Sequence, residues 1–329
     1  MGQDAASRHV PVMRDRCVEL MAPALQHEGA VAIDGTLGMG GHTEALLERC
    51  PRARVVGIDR DEQAIALASE RLARFGDRFL AHHATYDDMS GALAAAGADA
   101  ADAILLDLGV SSLQIDEADR GFSYAQDAPL DMRMDRSEPR TAADLLRDED
   151  ERELTRILRV YGEERFAPRI ARAIVRRRET APLTRSTELA ELVLEAMPAA
   201  ARHAPGGHPA KRTFQALRIA VNRELEVLER AVPAAVESVG VGGRVVIMSY
   251  HSLEDRLVKR AFAAGSEVDA PPGLPVVPDE AQPYLRLLTR GAEKASELEA
   301  QENPRSKPVR LRAVERLRPT PPSRLRRSA

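Results

Sequence analysis

Three short apolar segments, each ending in an aspartate, do most to constrain the fold of this chain. They are "AVAID" at 30–34, "ARVVGID" at 53–59 and "AILLD" at 103–107, and segments with helical periodicity separate them. Strands that are apolar throughout are buried on both faces, which is typical of a parallel sheet covered by helices. The sequence therefore predicts an α/β fold with a doubly wound, Rossmann-like sheet.

The strand pattern stops after the third segment and returns only at "GRVVIMSY", residues 243–250. The residues between are helical by period, and a helix from about Lys211 to Arg230 is expected to return the chain to the sheet. Two more strands are predicted in "YLRLLT" and "PVRLRAVERL". The predicted domains are 1–114 and 210–318 for the sheet, 115–209 for an inserted helical domain, and 319–329 for a disordered basic tail.

Composition limits the classes of partner and compartment. The 47 basic and 51 acidic residues give a net charge of −4, so any attraction to nucleic acid must come from local patches. The two cysteines form no CxxC pair and the histidines lack the spacing of metal ligands, so no metal site is predicted. We find neither a signal-peptide pattern nor an apolar run of membrane-spanning length, and we expect a cytoplasmic protein.

A glycine-rich turn, "DGTLGMGGH", follows the first predicted strand directly. Glycines there allow close approach of a ligand to the backbone, and the helix that follows offers free N–H groups. Asp59 ends the next strand 19 residues beyond Gly40, where a carboxylate can accept hydrogen bonds from ribose hydroxyls. These features predict a nucleoside-bearing cofactor; the alternative is a tight turn without a ligand.

The glycine spacing discriminates between cofactors. A dinucleotide fingerprint requires a third glycine where Thr43 stands, whereas the spacing of Asp34, Gly38 and Gly40 favours S-adenosylmethionine. A P-loop is excluded because the turn contains no G-K-[ST].

The segment "ILLDLGVSS" brings Asp107 to the carboxyl edge of the sheet, where ligands bind in open α/β folds. Ser111 and Ser112 lack the G-x-S-x-G elbow of a serine nucleophile. His251 and Ser252 resemble a hydrolase pair, but Ser252 with Asp255 three residues later favours a helix cap.

Two further segments are candidates for substrate contacts. "SSLQIDEADRGFSYAQDAPLDMRMD" has no EF-hand spacing and is interpreted as an ordered active-site loop in preference to a metal loop. Arg169, Arg172 and Arg176 lie on one face of a predicted helix, with Arg177 and Arg178 extending the charge, and either contact RNA or are simply solvated. Residues 305–329 carry nine basic residues and one acidic residue, as a phosphate-binding arm would.

Nearly the whole chain resembles the bacterial 16S ribosomal RNA cytosine-N4 methyltransferase family, the MraW-like ribosomal RNA small subunit methyltransferase H proteins. The resemblance runs through "HVPVM", "DGTLGMGGH", "GIDRD", "DLGVSSLQ", "YGEERFAPRIARAIV", "TFQALRIAVNRELE", "SYHSLEDR" and "NPRSKPVRLRAVER". Its most specific motif is "RGFSYAQDAPLDMRMD".

The resemblance implies a class I S-adenosylmethionine-dependent methyltransferase with an inserted helical substrate-recognition domain. It implies methylation of the exocyclic N4 of a decoding-centre cytosine, cytosine 1402, of 16S rRNA in the small ribosomal subunit. It carries cofactor contacts onto Gly40, Gly41, His42, Asp59, Tyr86, Asp107 and Gln114. Tyr86 stands where the family often has phenylalanine and Leu113 where it often has proline; the first change keeps an aromatic face for adenine.

The expected chemistry assigns roles within the Asp107–Ser112 turn. A cytosine amine is a poor nucleophile, and hydrogen-bond acceptors must hold its protons while the lone pair is aligned with the methyl group. Asp107, a backbone carbonyl and Ser111 or Ser112 are the candidate acceptors, although Asp107 alternatively contacts only the cofactor. Arg169, Arg172 and Arg176 are the candidate RNA clamp. Two rival functions are an NAD-dependent oxidoreductase and a catalytically silent RNA-binding assembly factor, and a homodimer is left open.

Overall fold

The computed structural model describes residues 11–202, 208–271, 276–322 and 324, with the backbone alone at 112, 116 and 118. The chain forms two compact units. The sheet unit combines the chain up to Gly109 with the chain from Glu226 onward, and the helical unit is Val110–Leu225.

The first part of the sheet unit alternates strands with helices, as the apolar segments predict. Its elements are α1 (Arg14–Met21), β1 (Val31–Asp34), α2 (Gly41–Arg49), β2 (Arg54–Asp59), α3 (Glu62–Leu72), β3 (Phe79–His83), α4 (Met89–Ala96) and β4 (Ala101–Asp107). Aspartates cap two of the helices: the Asp61 side chain accepts the Gln63 N–H, and the Asp88 side chain accepts the Gly91 N–H. These caps satisfy N–H groups that the first helical turn leaves without partners.

The described residues of the helical unit contain no strand of the main sheet. Its helices are α5 (Ser112–Asp116), α6 (Ala142–Asp148), α7 (Glu151–Val160), α8 (Ala167–Arg178), α9 (Ser186–Ala196), α10 (Ala199–Arg202) and α11 (Lys211–Asn222). The remaining elements are α12 (Glu224–Ser238), β5 (Val239–Ser249), α13 (Ser252–Ser266), β6 (Leu285–Leu287), α14 (Glu297–Glu302) and β7 (Arg310–Arg316).

The described part of the chain forms a sheet of seven strands in the order β3-β2-β1-β4-β5-β7-β6. Strands β1 to β5 are parallel, and β7 runs antiparallel to both β5 and β6. Alternate residues of β4 enter different cores, with Ala103 and Leu105 on one face and Ile104 and Leu106 on the other. Burial on both faces explains the uninterrupted apolar runs and confirms the predicted doubly wound α/β fold.

The sequence pattern did not indicate β3. This strand lies at the edge of the sheet, where β2 is its one partner among the described residues, and none of its five residues is buried. An edge strand that is half exposed accepts polar residues such as His82 and His83, so it lacks the apolar run that reveals its neighbours.

The helical unit ends later than the sequence suggests. The predicted helix from Lys211 to Arg230 is two helices, broken at Arg223, whose φ of +53° is left-handed. Phe214 and Leu217 of α11 belong to the core of the helical unit, whereas Leu228 of α12 belongs to a core of the sheet unit. The division therefore falls at 225/226, and α11 is part of the helical unit.

Part of the basic tail predicted to be disordered is packed against the sheet unit. Thr320 donates a hydrogen bond to Glu237, and Arg324 is buried and donates to the carbonyls of Ala264 and Ala281. Backbone carbonyls give the guanidinium fixed partners, which charge pattern alone does not reveal. Positions 323 and 325–329 lie outside the described residues.

Candidate cofactor site at the carboxyl edge of the sheet

The glycine turn after β1 is built around the buried carboxylate of Asp34. Its Oδ2 accepts the Thr43 hydroxyl at 2.7 Å, and its Oδ1 accepts the Thr36 N–H at 3.2 Å. Burial raises the pKa of Asp34, although these hydrogen bonds favour its ionised form. At the position where a dinucleotide fingerprint would require a third glycine, Thr43 donates a hydrogen bond to Asp34 and closes the turn.

Gly40 and Gly41 have steric reasons to be glycine. Gly40 caps α2 with a φ of +78°, and a Cβ there would lie 3.0 Å from Leu72 Cδ1. A Cβ at Gly41 would lie 2.4 Å from Pro11 Cγ. Close packing within the protein therefore requires both glycines, whether or not a ligand also approaches them.

Asp59 at the end of β2 is hydrogen-bonded to the glycine turn. Its Oδ2 accepts the Gly38 N–H at 2.8 Å and its Oδ1 accepts the Asp61 N–H at 2.9 Å. Burial raises the pKa of Asp59 to about 6. Each oxygen accepts one of these bonds and retains a second lone pair, and the residue is partly exposed, so the carboxylate can accept both hydroxyls of a ribose. The hydrogen-bond acceptors at this site fit the ribose of the cofactor that the sequence predicts.

Asp107 ends β4 and is held from three sides within the sheet unit. Its N–H donates to Thr36 Oγ1 at 2.6 Å, and its Oδ1 accepts the Tyr250 hydroxyl at 2.7 Å. Its Oδ2 lies 3.8 Å from Nδ1 of His42, whose Nε2 is 3.0 Å from the carbonyl of Val12. Burial raises the pKa of Asp107 to about 6, against the opposing effects of His42 and the Tyr250 hydroxyl.

Tyr250 is a site residue that the sequence reasoning missed. It follows β5 directly, and β5 is the neighbour of β4, with Met248 opposite Asp107. Burial raises the pKa of Tyr250 well above its ordinary value, with the Asp107 carboxylate adding to the rise, so the phenol stays a donor. The rule that pointed to Asp107, the carboxyl edge of parallel strands, also applies to Tyr250 once β4 and β5 are known to be neighbours.

The start of α13 corrects the reading of His251 and Ser252. The residue that caps the helix is His251, not Ser252, and Glu254 Oε2 accepts the N–H groups of Tyr250 at 2.7 Å and His251 at 3.1 Å. Asp255 instead pairs with Arg312 at 2.7 Å. The segment therefore serves to fix the backbone around Tyr250, and nothing in it supports a hydrolase pair.

The remaining predicted site residues divide between the units. Tyr86 lies in the sheet unit beside Gly35, because a Cβ on Gly35 would be 3.3 Å from Tyr86 Cβ. Ser111 and Gln114 lie in the helical unit, where the Ser111 hydroxyl accepts the Gln114 N–H at 3.2 Å and Gln114 Oε1 accepts the Ser111 N–H at 3.0 Å. Ser112 begins α5, and its side chain is outside the described residues.

The three candidate RNA-binding arginines share an exposed face of α8. Arg169, Arg172 and Arg176 are exposed, while Ile170 and Ile174 on the opposite face are buried. Arg172 forms a salt bridge with Glu151, with 3.4 Å between Arg172 Nε and Glu151 Oε1. Arg177 and Arg178, which were expected to extend this charge, instead donate to backbone carbonyls: Arg177 to that of Ala181, Arg178 to those of Leu146 and Glu149.

A doubly wound sheet whose carboxyl edge holds a glycine turn, an acid placed to accept ribose hydroxyls and a partly buried third acid defines the class of S-adenosylmethionine-dependent methyltransferases. The chain belongs to the MraW methylase family, whose model matches residues 6–317. This membership confirms the predicted cofactor, S-adenosylmethionine, and contradicts the oxidoreductase alternative.

Relatives cover almost the full length of the chain. A protein of Beutenbergia cavernae called "Ribosomal RNA small subunit methyltransferase H" is 63% identical over 317 residues, 96% of this chain and 95% of the relative. One of the same name from Nocardioides sp. is 62% identical over 308 residues, 94% of this chain and 96% of the relative. A solved rRNA methylase from Streptococcus thermophilus covers 93% of this chain and 94% of its own at 12% identity, but its TM-score of 0.41 supports no inference.

Two kinds of feature are absent from the residues that the structure describes. Within those ranges no helix is long and apolar enough to cross a membrane. In the same part of the chain, no group of three or more His, Cys, Asp or Glu residues is arranged to hold a metal ion.

Proposed function

We propose that this protein transfers the methyl group of S-adenosylmethionine to the exocyclic N4 of cytosine 1402 in the 16S rRNA of the small ribosomal subunit. The observation that carries the proposal is the partly buried Asp107 carboxylate at the end of β4, hydrogen-bonded to Tyr250 and joined through Thr36 to the glycine turn. The names of the relatives support ribosomal RNA of the small subunit as the substrate. A ribosomal substrate agrees with the cytoplasmic location expected from the sequence.

The residues that would hold the cofactor are those of the glycine turn together with Asp59, Tyr86 and Gln114. Asp59 would accept the ribose hydroxyls, Tyr86 would provide an aromatic face for the adenine, and Gly40, Gly41, His42 and Gln114 would complete the contacts. When bound, S-adenosylmethionine supplies an electrophilic methyl group on a positively charged sulfur.

Asp107 is suited to hold the amine of the target cytosine. With a pKa of about 6 its carboxylate is largely ionised at neutral pH, and Tyr250 occupies one lone pair of Oδ1. The free acceptor positions can take an amine N–H, which draws the nitrogen lone pair out of conjugation and fixes its direction. Such positioning supplies up to roughly 7–11 kcal/mol of the barrier in well-oriented reactions.

The role of Asp107 can be tested by measuring both turnover and cofactor affinity in Asp107→Ala. If Asp107 holds the amine, Asp107→Ala abolishes methyl transfer and leaves the affinity for S-adenosylmethionine within a few-fold of wild type. Equal losses in turnover and cofactor affinity would show that Asp107 contacts only the cofactor.

The serines of the turn are proposed to orient the same amine, in competition with a capping role. The Ser111 hydroxyl already accepts the Gln114 N–H, so Ser111→Ala is expected to cost about 1 kcal/mol of stability through the lost cap. If the serines also orient the cytosine amine, turnover should fall in Ser111→Ala or Ser112→Ala at a temperature where both variants are folded. Unchanged turnover in both variants would remove the serines from the mechanism.

The helical unit is proposed to bind the substrate RNA through Arg169, Arg172 and Arg176. A target base must be unstacked before it can enter a methyltransferase site, at a cost of a few kcal/mol, and contacts to its flanking phosphates would offset that cost. The competing reading is a silent assembly factor that retained the fold. Incubating the protein with small-subunit particles and labelled S-adenosylmethionine separates the two, because an assembly factor would bind the particles without incorporating label.

A further inference from the structure

An aromatic stack lies at the start of α11 in the helical unit. The rings of Tyr124 and His208 are 4.7 Å apart between centroids and 13° from parallel. Tyr124 also meets Phe214 edge-on at 5.8 Å, and Phe214 is buried in the core of the unit. His208 Nδ1 accepts the Ala210 N–H at 3.2 Å. Both rings of the stack are partly exposed, and the core and the backbone hold them in place.

Four exposed cations lie around the first turn of α11. Lys211 and Arg212 belong to that turn, and Arg212 donates to the carbonyl of Glu163 at 3.1 Å in the loop between α7 and α8. That same loop carries Arg165, and Arg169 follows in the first turn of α8. The contact between α11 and the loop therefore gathers the four cations near the aromatic stack.

These four cations differ from Arg140 and Arg147 of the same unit in their partners. Arg140 pairs with Glu149 at 2.8 Å and Arg147 with Asp148 at 2.8 Å. In the described part of the chain, no salt bridge involves Arg165, Arg169, Lys211 or Arg212. Glu164, the buried acid of the loop, is engaged by the Phe166 N–H at 2.8 Å. Arg165 lies over the Phe166 ring, 5.7 Å from its centroid, and Glu163 of the same loop is exposed. Four cations against the two acids of the loop leave an excess of positive charge for an anionic partner.

We infer that the Tyr124–His208 stack and the surrounding cations form a platform for an unpaired nucleotide of the RNA substrate. The inference rests on the proposed function, and it adds a second contact region to the arginine face of α8. A base would extend the existing stack, and the cations would contact its flanking phosphates. Aromatic stacking without base-specific hydrogen bonds is how proteins hold single strands, whereas duplex RNA hides the faces of its bases.

The direct test is photo-crosslinking of the full-length protein to a short single-stranded RNA that carries 5-iodouridine. The platform predicts crosslinks on Tyr124 or His208, located by mass spectrometry of the digested complex. Tyr124→Leu should remove the crosslink and weaken RNA binding about tenfold, because a stacked base is lost. Tyr124→Phe keeps the ring and should retain both the crosslink and the affinity.

A matched control separates stacking from general damage to the unit. Tyr161 is another partly buried tyrosine of the helical unit, and Arg156 already covers its ring at 5.2 Å. Tyr161→Leu should leave RNA affinity and the crosslink unchanged, with melting temperatures checking that each variant is folded. The crosslinking of the wild-type protein needs no variant, so it gives a result even if Tyr124→Leu is unstable.

The inference would be overturned by crosslinks confined to other residues, or by duplex RNA of the same sequence competing as well as the single strand. Methyl transfer by the wild-type protein without a crosslink on Tyr124 or His208 would contradict the platform alone. A crosslink there with no methyl transfer would contradict the proposed function alone.

Discussion

The Tyr250 hydroxyl donates a 2.7 Å hydrogen bond to Oδ1 of Asp107, which joins the residue after β5 to the last residue of β4. A phenol that donates to a buried carboxylate stabilises its ionised form, and charged hydrogen bonds contribute about 1.5–3 kcal/mol. The bond therefore lowers the pKa of Asp107 relative to what burial alone would impose.

Tyr250→Phe should move the acid limb of the methyl-transfer pH profile to higher pH. The pKa of Asp107 is about 6 with the bond in place, and loss of the donor should raise it by about one unit. Activity at pH 6 should then fall more than activity well above it. Tyr284→Phe, which alters a partly buried tyrosine elsewhere in the sheet unit, is the control, and an unshifted limb in Tyr250→Phe would contradict the role of the bond.

Cofactor affinity should decline as the pH falls through about 6, because the Asp59 carboxylate takes up a proton there. A protonated acid loses acceptor capacity for the ribose hydroxyls. Calorimetric titration with S-adenosylmethionine on both sides of that pH measures the effect. Asp59→Ala should weaken binding about tenfold to a hundredfold and flatten the pH dependence, while an affinity that stays constant in the wild-type protein across the same range would be inconsistent with the assignment.

Asp107→Asn should abolish or strongly reduce methyl transfer and yet stabilise the cofactor-free protein at neutral pH. The pKa of Asp107 is about 6 when folded and 3.8 in its ordinary state, so between these values the folded state binds more protons than the unfolded state. Stability from this group is therefore lost as the pH rises from 3.8 to about 6. Asparagine carries no charge to bury and can still accept the Tyr250 hydroxyl.

The gain should be on the order of 1–2 kcal/mol at neutral pH and should vanish in acid. Denaturant unfolding of both proteins at pH values below 3.8 and above 6 provides the comparison. If Asp107→Asn were less stable than wild type at neutral pH, burial of the charged Asp107 carboxylate would not destabilise the folded protein.

Replacing Arg169, Arg172 and Arg176 together with alanine should weaken RNA binding and its salt dependence. Each phosphate contact on a single strand contributes about 0.7 to the slope of log affinity against log salt, so three contacts predict a change of about 2. Arg147→Ala is the control, because this exposed arginine is already paired with Asp144 at 2.7 Å. An unchanged slope in the triple variant would remove these arginines from the RNA clamp.

The sheet was predictable because its physical cause is local. Strands buried on both faces must be apolar along their whole length, and β1, β2 and β4 carry that pattern with a terminal aspartate. The edge strand β3 has no such requirement and left no signal. The boundary at 225/226 was missed because the apolar stripe of an amphipathic helix indicates that the helix is packed, but does not indicate which core it packs against. The break between α11 and α12 at Arg223 is visible only in the structure.

A site residue could be predicted where it lies at the end of a single predicted strand. It could not be predicted where its contacts depend on which elements are neighbours in the fold. Asp59 and Asp107 were found because each ends an apolar run. The contacts of Tyr250 depend on the order of strands in the sheet, which a single sequence does not state. The expectation that Arg178 extends the exposed charge of α8 was wrong for a similar reason, since its guanidinium donates to carbonyls of residues about thirty positions away.

The most direct test of the proposed function is the identity of the nucleoside that the protein makes. Small-subunit particles that lack the modification are incubated with the protein and labelled S-adenosylmethionine, and the RNA is digested and analysed by mass spectrometry. We predict a single product, N4-methylcytidine at position 1402, absent when Asp107→Ala replaces the wild-type protein. Label on another atom or another nucleotide, or none at all with an intact cofactor complex, would contradict it.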